Sequence, residues 1–292
     1  MANLKEIRNR INSVNSTKQV TSAMKLVSAA KLRKAQEAIV QFRPYAEKLH
    51  KILTNICSQS DVARDNVFSQ QRDLERVLII AITSNRGLCG AFNANVIKKA
   101  VITAKEEYGS LLARGRLDFL TIGRKAGEVL KSQGYNIVES HNELLNQAVF
   151  ANVKVLAESV MERFVNGTYD KVEIIYNQFK NAGVQILKCE QFLPVEVQED
   201  KKPKMNQNYI YEPDLEFIVN EMIPRSLKTQ LYKTILDSIA SEHGARMTAM
   251  HIATDNAFEL LKQLKLNYNK ARQASITNEI LEIVSGAEAL KG

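Results

Sequence analysis

Apolar residues near the amino terminus follow the spacing of a coiled-coil helix. Leu4, Ile7, Ile11 and Val14 recur at intervals of three and four residues, which is typical of one apolar seam along an α-helix. Beyond Val14 the seam is expected to shift to Thr17, Val20, Met24, Val27 and Ala30, and such a shift alters supercoiling locally. The pattern predicts a helix from residue 3 to about residue 56, about 75 Å long at the α-helical rise per residue.

A second long helix is predicted toward the carboxyl terminus. From Arg225 to about Ser285 there is no proline, and Gly244 is the one glycine. Two series of positions seven residues apart run through this stretch: Leu236, His243, Met250, Ala257, Leu264 and Ala271, and Ala240, Met247, Thr254, Leu261, Tyr268 and Ser275. Ile276, Ile280, Ile283, Ala287 and Leu290 are expected to continue the seam with a one-residue shift. Upstream, a short helix over 214–222 is expected to be interrupted at Pro224.

The middle of the chain alternates between strand and helix patterns. The β-branched run 76–83 is typical of a buried parallel strand, and residues 117–122 and 135–138 predict further strands. Helices are predicted over 93–107, 125–133 and 147–165. Residues 171–179 and 184–192 flank the turn signal Asn181-Ala182-Gly183 and predict an antiparallel pair. Strands that alternate with helices imply βαβ units and an α/β domain.

The predicted fold class is therefore α/β, with a long antiparallel two-helix coiled coil formed by both chain termini and an inserted α/β (Rossmann-like) domain. The helices must run antiparallel because the chain leaves the first and enters the last through one domain. The predicted boundaries are 1–58 for the N-terminal coiled-coil helix and 75–194 for the inserted domain. Residues 195–213 are expected to form a polar loop and contact region, and 214–292 the C-terminal coiled-coil helix.

The positive charge is concentrated in the first helix. Residues 1–51 contain eleven Lys or Arg and three Glu, so they account for the entire net charge of +8. Such a segment fits an acidic protein partner, a phosphate backbone or a membrane surface. The first 41 residues contain no aromatic residue that could stack on bases. Nucleic-acid binding is therefore disfavoured, while an acidic partner and a solvated basic face both remain open.

The composition argues against an exported or membrane-spanning protein. No apolar run approaches the ~18–20 residues that a spanning helix needs, and the first residues lack the apolar core of a secretory signal. Cys57, Cys89 and Cys189 have no zinc-binding spacing. We therefore expect small, reduced cysteines in a reducing compartment.

One glycine-containing turn is a candidate ligand site. Residues 84–93, with the sequence SNRGLCGAFN, follow the first strand and open a helix. The turn could hold a phosphate at the helix amino terminus, as in a nucleotide-using enzyme, or it could be a tight strand-to-helix connection. The connection is favoured because G-x-x-G is not a nucleotide fingerprint, and it predicts that Gly87→Val harms folding. No catalytic residue, metal site or cofactor is expected elsewhere.

Directed polar groups crowd the end of the last helix. Arg272, Gln273, Thr277 and Glu279 lie within about two turns of one another at 3.6 residues per turn. An exposed helix end has no need of so many hydrogen-bonding groups. We therefore expect other protein to enclose this segment.

Several segments together resemble the gamma subunit of rotary (F-type) ATP synthases. Residues 276–289, ITNEILEIVSGAEA, fit the family's carboxyl-terminal signature I-T-x-E-x-x-D/E-x-x-x-G-A-x-A. Residues 253–257 and 269–273 fit upstream of it, and 7–11 through 24–31 resemble the family's first helix. Residues 85–93 match its central turn, except that Asn85 stands where Asp is common. The resemblance covers essentially the whole chain.

The resemblance implies a non-catalytic central-stalk rotor subunit of an H⁺-transporting ATP synthase. Its partners would be three alpha and three beta subunits of the catalytic head, the epsilon subunit and the c-subunit ring, with no nucleic acid and no cofactor. The chain would lie peripherally on the cytoplasmic face of a bacterial inner membrane. The implied head contacts are Lys25, Arg246, Arg272, Gln273, Thr277, Glu279 and Glu282, and the implied c-ring and epsilon contacts are Tyr209, Tyr211 and Glu212.

Overall fold

The computed structural model describes residues 4–59, 66–146, 148–195, 212 and 214–289. Its helices are α1 (Leu4–Gln59), α2 (Phe92–Glu106), α3 (Gly109–Ala113), α4 (Arg124–Ser132), α5 (Phe150–Val165) and α6 (Leu215–Ala289), with a 3-10 turn at Glu143–Leu145. Its strands are β1 (Val77–Ile82), β2 (Leu117–Ile122), β3 (Ile137–Ser140), β4 (Lys171–Asn181) and β5 (Val184–Leu193). The chain divides into two compact units, Ala29–Arg246 and the two end segments, Met1–Ser28 with Met247–Gly292.

The five strands form one sheet in the order β3-β2-β1-β4-β5. β1 pairs in parallel with both β2 and β4, so that Val77 lies opposite Leu117 on one side and Lys171 on the other. β3 is parallel to β2, whereas β5 runs antiparallel to β4. The predicted α/β domain and its terminal hairpin are confirmed.

Both faces of the sheet are covered, which explains the uninterrupted apolar run in β1. Leu78, Ile80 and Ile82 pack in the core that includes α5 and the first part of α6. Val77 and Ile79 point to the opposite face, into the core that includes α2 and α4. Because successive side chains of a strand alternate between faces, a strand buried on both sides must be apolar throughout.

The predicted interruption at Pro224 is wrong, because α6 continues through it. An interior proline removes one backbone hydrogen bond and crowds the preceding turn, at a cost of about 3 kcal/mol. On the same helix Val219, Ile223 and Leu227 are buried in the core. Burying each of these side chains contributes about 1.5–3 kcal/mol, which together exceeds the cost of the proline.

In the unit made by the chain ends, α1 and α6 pair in an antiparallel arrangement. The Lys18 Nζ lies 5.1 Å from the centroid of the Phe258 ring, and the hydroxyl oxygens of Thr21 and Thr254 are 2.8 Å apart. As the residue number rises along α1, the number of its partner on α6 falls. The predicted fold class, an antiparallel two-helix coiled coil with an inserted α/β domain, is confirmed.

The predicted shift of the α1 seam is wrong. Of the five predicted positions, Met24 is half-buried, whereas Thr17, Val20, Val27 and Ala30 are exposed. The buried or half-buried positions instead continue the original heptad through Lys18, Thr21, Lys25 and Ser28. The sequence hides this continuity because polar side chains occupy the seam. Their contacts with α6, such as the threonine pair, replace apolar packing.

The α6 seam holds as predicted up to Ser275 and then ends. Met250, Ala257, Leu261 and Leu264 are buried. By contrast, Ile276, Ile280 and Ile283 are exposed, so the predicted continuation of the seam is wrong. The register of the threonine pair places Leu4 opposite residue 271. The later turns of α6 therefore extend past the first described residue of α1.

Candidate functional site

The turn between β1 and α2 is closed by its own side chains. The backbone N–H of Ser84 donates to the Asn93 Oδ1 at 2.9 Å, and the Asn93 Nδ2 donates to the Ser84 Oγ at 2.8 Å. The Ser84 hydroxyl donates to the carbonyl of Arg86 at 2.6 Å. Cys89 is buried beside them, and burial raises the pKa of its thiol. The cysteine therefore acts as packing material in a structural turn.

Arg246 of α6 reaches into this turn. Its Nη2 donates to the carbonyl oxygens of Arg86 and Gly87 at 3.1 and 3.3 Å. Its Nη1 lies 2.6 Å from the Glu242 Oε1 in an ion pair one helical turn away. Arg246 is only 8% exposed. This predicted head contact is thus engaged within its own chain.

The position of α6 explains why this turn differs from a nucleotide site. In doubly wound sheets, ligands bind at the carboxyl ends of the strands where the strand order reverses, which here is between β1 and β4. The Ser241 hydroxyl donates at 2.9 Å to the carbonyl of Asn177, two residues beyond the last β4 residue that pairs with β1. Arg246 bonds the turn that follows β1. The arrangement favours the structural turn over the phosphate-binding alternative.

Leu88 is the strained residue of the turn. Its φ is 63°, in the left-handed region, which is unusual for a bulky side chain. Its side chain is 64% exposed. The predicted harm from Gly87→Val is not supported, because no atom lies within 4 Å of a Cβ built at Gly87 and its φ is not positive. Glycine is favoured instead at Gly90, where φ is +59°.

Lys25 lies on the helical pair of the chain ends. Its Nζ is 3.4 Å from the His251 Nδ1, and the same ring nitrogen is 3.3 Å from the Asp255 Oδ2. The histidine and aspartate side chains of this group are more than half exposed. Lys25 is therefore accessible to an acidic partner in a way that Arg246 is not.

Large apolar side chains are exposed on both helices of this unit. On the paired part they are Val20, Leu26, Val27, Ile252, Phe258 and Leu266, and on the extending end of α6 they are Ile276, Ile280, Leu281, Ile283 and Val284. Large exposed apolar surfaces on soluble proteins often mark sites of contact with other proteins. The pattern indicates a surface that another protein covers.

The predicted polar contacts at the end of α6 all lie on the helix surface. Arg272, Gln273, Thr277, Glu279 and Glu282 are exposed. Two members make local bonds: the Thr277 hydroxyl donates to the carbonyl of Gln273 at 2.9 Å, and the Ser275 hydroxyl donates to Glu279 at 3.2 Å. Their remaining hydrogen-bonding capacity faces outward.

The predicted c-ring and epsilon contacts fall largely outside the described residues. Tyr209 and Tyr211 lie there, and Glu212 is an exposed residue at a bend. Within the described ranges, no group of three or more potential metal-ligating side chains is assembled. The described helices also include none long and apolar enough to cross a membrane.

Two features of the site were missed by sequence reasoning. The ion pair between Glu242 and Arg246 is visible in the sequence, because the two residues are four apart on one helix. The hydrogen bond from Arg246 to the carbonyl of Arg86 depends on the fold. The exposure of Leu88 has no signal beyond the glycines around it. Both features arise where elements distant in sequence meet.

The fold and its surface define a structural subunit of a larger assembly, in which other protein covers the helical pair. A family model described as ATP synthase matches residues 3–290. The ATP synthase gamma chain of Flavobacterium psychrophilum is 56% identical over 292 residues, covering all of both chains. That of Chlorobium phaeobacteroides is 45% identical, again over all of both chains. The chain belongs to the ATP synthase gamma-chain family.

Solved structures share the fold. The rotor of the Euglena gracilis mitochondrial ATP synthase in rotational state 1 has a TM-score of 0.65 at 20% identity, covering 94% of this chain and 98% of that one. A chain of the OSCP/F1/c-ring structure in rotational state 3 gives 0.71 at 21% identity, covering 98% and 94%. Family membership confirms the predicted non-catalytic, central-stalk role within the synthase.

Proposed function

We propose that the helical pair turns inside a head of three alpha and three beta subunits and transmits ion-driven rotation to their nucleotide sites. The observation that carries this proposal is the exposed apolar surface on both helices, which continues onto the last described turns of α6. A slender helical pair with such a surface fits an enclosing sleeve of protein. In the reverse direction, ATP hydrolysis would turn the pair backward.

The positive charge of the first helix supports contact with acidic groups of the enclosing subunits. The first 51 residues carry the whole net charge of +8, and Lys25 presents its ammonium at the surface of the pair. We assign Lys25 to contact acidic loops of the beta subunits. Exposed ion pairs contribute only about 0–1 kcal/mol each. Such contacts would favour some orientations of the helical pair without locking it in one of them.

Contacts at the top of the head are assigned to the end of α6. Arg272, Gln273 and Thr277 offer directed hydrogen bonds there, and Glu279 and Glu282 follow on the next turns. An asymmetric helical pair would contact each of three identical beta subunits differently at any moment. Only such differences in contact free energy can hold identical subunits in different states.

The inserted domain is proposed to face the membrane side of the assembly. Tyr209, Tyr211 and Glu212 would contact the c-subunit ring and the epsilon subunit. The chain itself would be peripheral, held on the cytoplasmic face of a bacterial inner membrane through the complex.

Reconstitution tests this function directly. Alpha and beta subunits are expressed with and without this chain, and sustained ATP hydrolysis is measured alongside the chain alone. We expect the chain alone to be inactive, to co-purify with the head subunits and to raise their sustained turnover. A chain that neither co-purifies nor changes turnover would overturn the proposal.

A double substitution tests the contacts at the top of the head. Arg272→Ala with Gln273→Ala should lower coupled ATP synthesis in the assembled enzyme by about three- to tenfold, since losing two exposed hydrogen-bonding groups removes about 1 kcal/mol of interaction. The helical content should be unchanged because both residues are exposed. Arg114→Ala with Gln133→Ala, the same residue types exposed on the inserted domain, is the matched control. Unchanged synthesis in the first pair would refute this contact assignment.

A further inference from the structure

Arg246 connects two parts of the chain that are 160 residues apart in sequence. One side of its guanidinium meets Glu242 on its own helix, and the other donates to the carbonyls of Arg86 and Gly87 in the turn after β1. We propose that Arg246 is a positioning residue, which clamps this turn onto α6 and so fixes the exposed side chain of Leu88 for contact with a beta subunit. The inference rests on the proposed function and deepens it.

The surroundings of the clamp make it specific for arginine. A guanidinium offers several N–H donors in a fixed plane, so one group can bond a carboxylate and two carbonyls together. Burial raises the pKa of Glu242, and the nearby Arg246 charge opposes that rise. Burial also lowers the pKa of the adjacent His243 to about 4, so that the histidine is neutral near pH 7. Arg246 is thus the directly bonded charge that compensates the buried Glu242, while Lys31 and Arg86 oppose the rise of its pKa without a direct bond.

The residue that follows the clamped carbonyls is the one held in a strained conformation. Leu88 comes directly after Gly87, has φ of 63° and points its side chain outward. A bulky residue remains in that region only where its neighbours fix the backbone. On one side the backbone is fixed by Arg246, and on the other by Cys89 and the side chains that surround it.

A stiff turn has a mechanical consequence for a rotor. Force applied to an exposed side chain reaches α6 only if the backbone between them does not yield. Through Arg246, a force applied at Leu88 is transmitted directly to α6, the helix that continues into the helical pair. Without the clamp, the turn would deform locally and the contact would do less to shift the state of a beta subunit.

The isolated full chain provides the first test. In a Cys57→Ser, Cys189→Ser background, buried Cys89 reports opening of the turn through its rate of alkylation by iodoacetamide. Arg246→Ala should speed this reaction about tenfold, the factor that corresponds to one lost hydrogen bond to a charged group. Arg116→Ala, which removes an exposed ion pair with Glu75, should not change the rate. An unchanged rate in Arg246→Ala would overturn the clamp.

The assembled enzyme provides the second test, with protons pumped per ATP hydrolysed as the readout. Arg246→Ala and Leu88→Ala should both lower this ratio, and combining them should lower it no further than either alone. Arg246→Lys, which keeps the charge and loses the planar fork, should give an intermediate ratio. A normal ratio in Arg246→Ala, or fully additive losses in the double variant, would overturn the positioning role.

The two tests separate the inference from the function on which it rests. If the wild-type chain failed to assemble with the head subunits, the proposed function would fail, while alkylation of Cys89 would still report on the clamp. If Arg246→Ala did not fold, Glu242→Gln and Arg246→Lys would take its place in both measurements. Each should then show a smaller change in the same direction, and wild-type values in both would overturn the proposal.

Discussion

Replacing Gly123 by alanine is expected to destabilise the inserted domain by about 3–5 kcal/mol, near the upper end of single-residue effects. Gly123 connects β2 to α4 with φ of +105°, and a Cβ there would lie 2.3 Å from the carbonyl oxygen of Thr83. That carbonyl belongs to backbone just after β1. Relieving this clash would therefore require β1 and β2 to separate at their carboxyl ends.

The local hydrogen bonds show why the strands cannot separate cheaply. The backbone N–H of Thr83 donates to the carbonyl of Ile122 at 2.8 Å, and the Thr83 hydroxyl accepts from the backbone N–H of Ala126 at 3.0 Å. Moving Gly123 away from Thr83 would strain or break both. These groups are buried, so their loss would leave unpaired polar atoms in the core.

Gly134→Ala is the matched control for the role of Gly123. Its φ is +83°, also in the region that favours glycine, but no atom lies within 4 Å of the position that a Cβ would take there. We expect backbone strain alone to cost about 1–3 kcal/mol at this residue. Urea unfolding of the full chain, followed by circular dichroism, measures both variants. Equal losses in the two would show that the close approach to Thr83 contributes nothing.

The fold was predictable because its main signals are local. Run 76–83 is apolar throughout, and the structure buries it on both faces. The turn signal at 181–183 lies between two strand patterns and forms the hairpin that they predict. The heptad of α6 also held through Ser275. In each case the side chains that set the pattern are the ones that pack.

The errors arose where tertiary contacts outweigh a local preference. Pro224 would end an isolated helix, but burial of the residues beside it carries α6 through. The seam contains polar residues at Lys18 and Thr21. The apolar spacing therefore indicated the exposed Val20 as a seam position instead. Those polar residues fit the seam only because Phe258 and Thr254 lie opposite them, and one helix alone does not contain that information.

The candidate site was predictable in part for the same reason. The exposed residues at the end of α6 were found because a run of polar groups on a helix is visible in sequence. The inward orientation of Arg246 was not, since its partners lie 160 residues away in the chain. A basic residue on a helix fits a surface contact or an internal clamp equally well until the fold places a backbone carbonyl beside it.

Asp237 on α6 is another buried group that the sequence does not single out. It is only 1% exposed, and within the described part of the chain neither carboxyl oxygen has a hydrogen-bond partner. Burial raises its pKa from 3.8 to about 6. Lys233 of its own helix and Arg43 of α1 oppose that rise. Neither charge is close enough to act as a hydrogen-bond donor.

The strands packed against Asp237 add charges of both signs. Glu190 of β5 raises the pKa of Asp237 and Lys188 of the same strand lowers it. The Tyr176 hydroxyl of β4, also near Asp237, donates instead to Glu190 at 2.9 Å. The ionised carboxylate is thus left without a direct partner, although three basic groups face it.

The raised pKa fixes the sign of a pH effect. The folded chain binds the proton more tightly than the unfolded chain, so Asp237 favours folding below pH 4 relative to neutral pH. That contribution is lost as the pH rises through about 6. Above pH 7 the ionised form lowers the free energy of unfolding by about 3 kcal/mol relative to the protonated form. This trend is opposite to that of a carboxylate held in an ion pair.

Asp237→Asn tests the effect because it keeps the shape and removes the charge. The free energy of unfolding of the variant minus that of the wild type should be larger at pH 8 than at pH 4.5 by about 2 kcal/mol. Urea unfolding of both full chains at the two pH values gives this difference, and any fixed cost of the amide cancels in it. Asp73→Asn, at an exposed aspartate, should show no comparable change. A difference for Asp237→Asn that does not vary with pH would mean that the carboxylate is well solvated or paired in the folded chain, and that its burial carries no electrostatic cost.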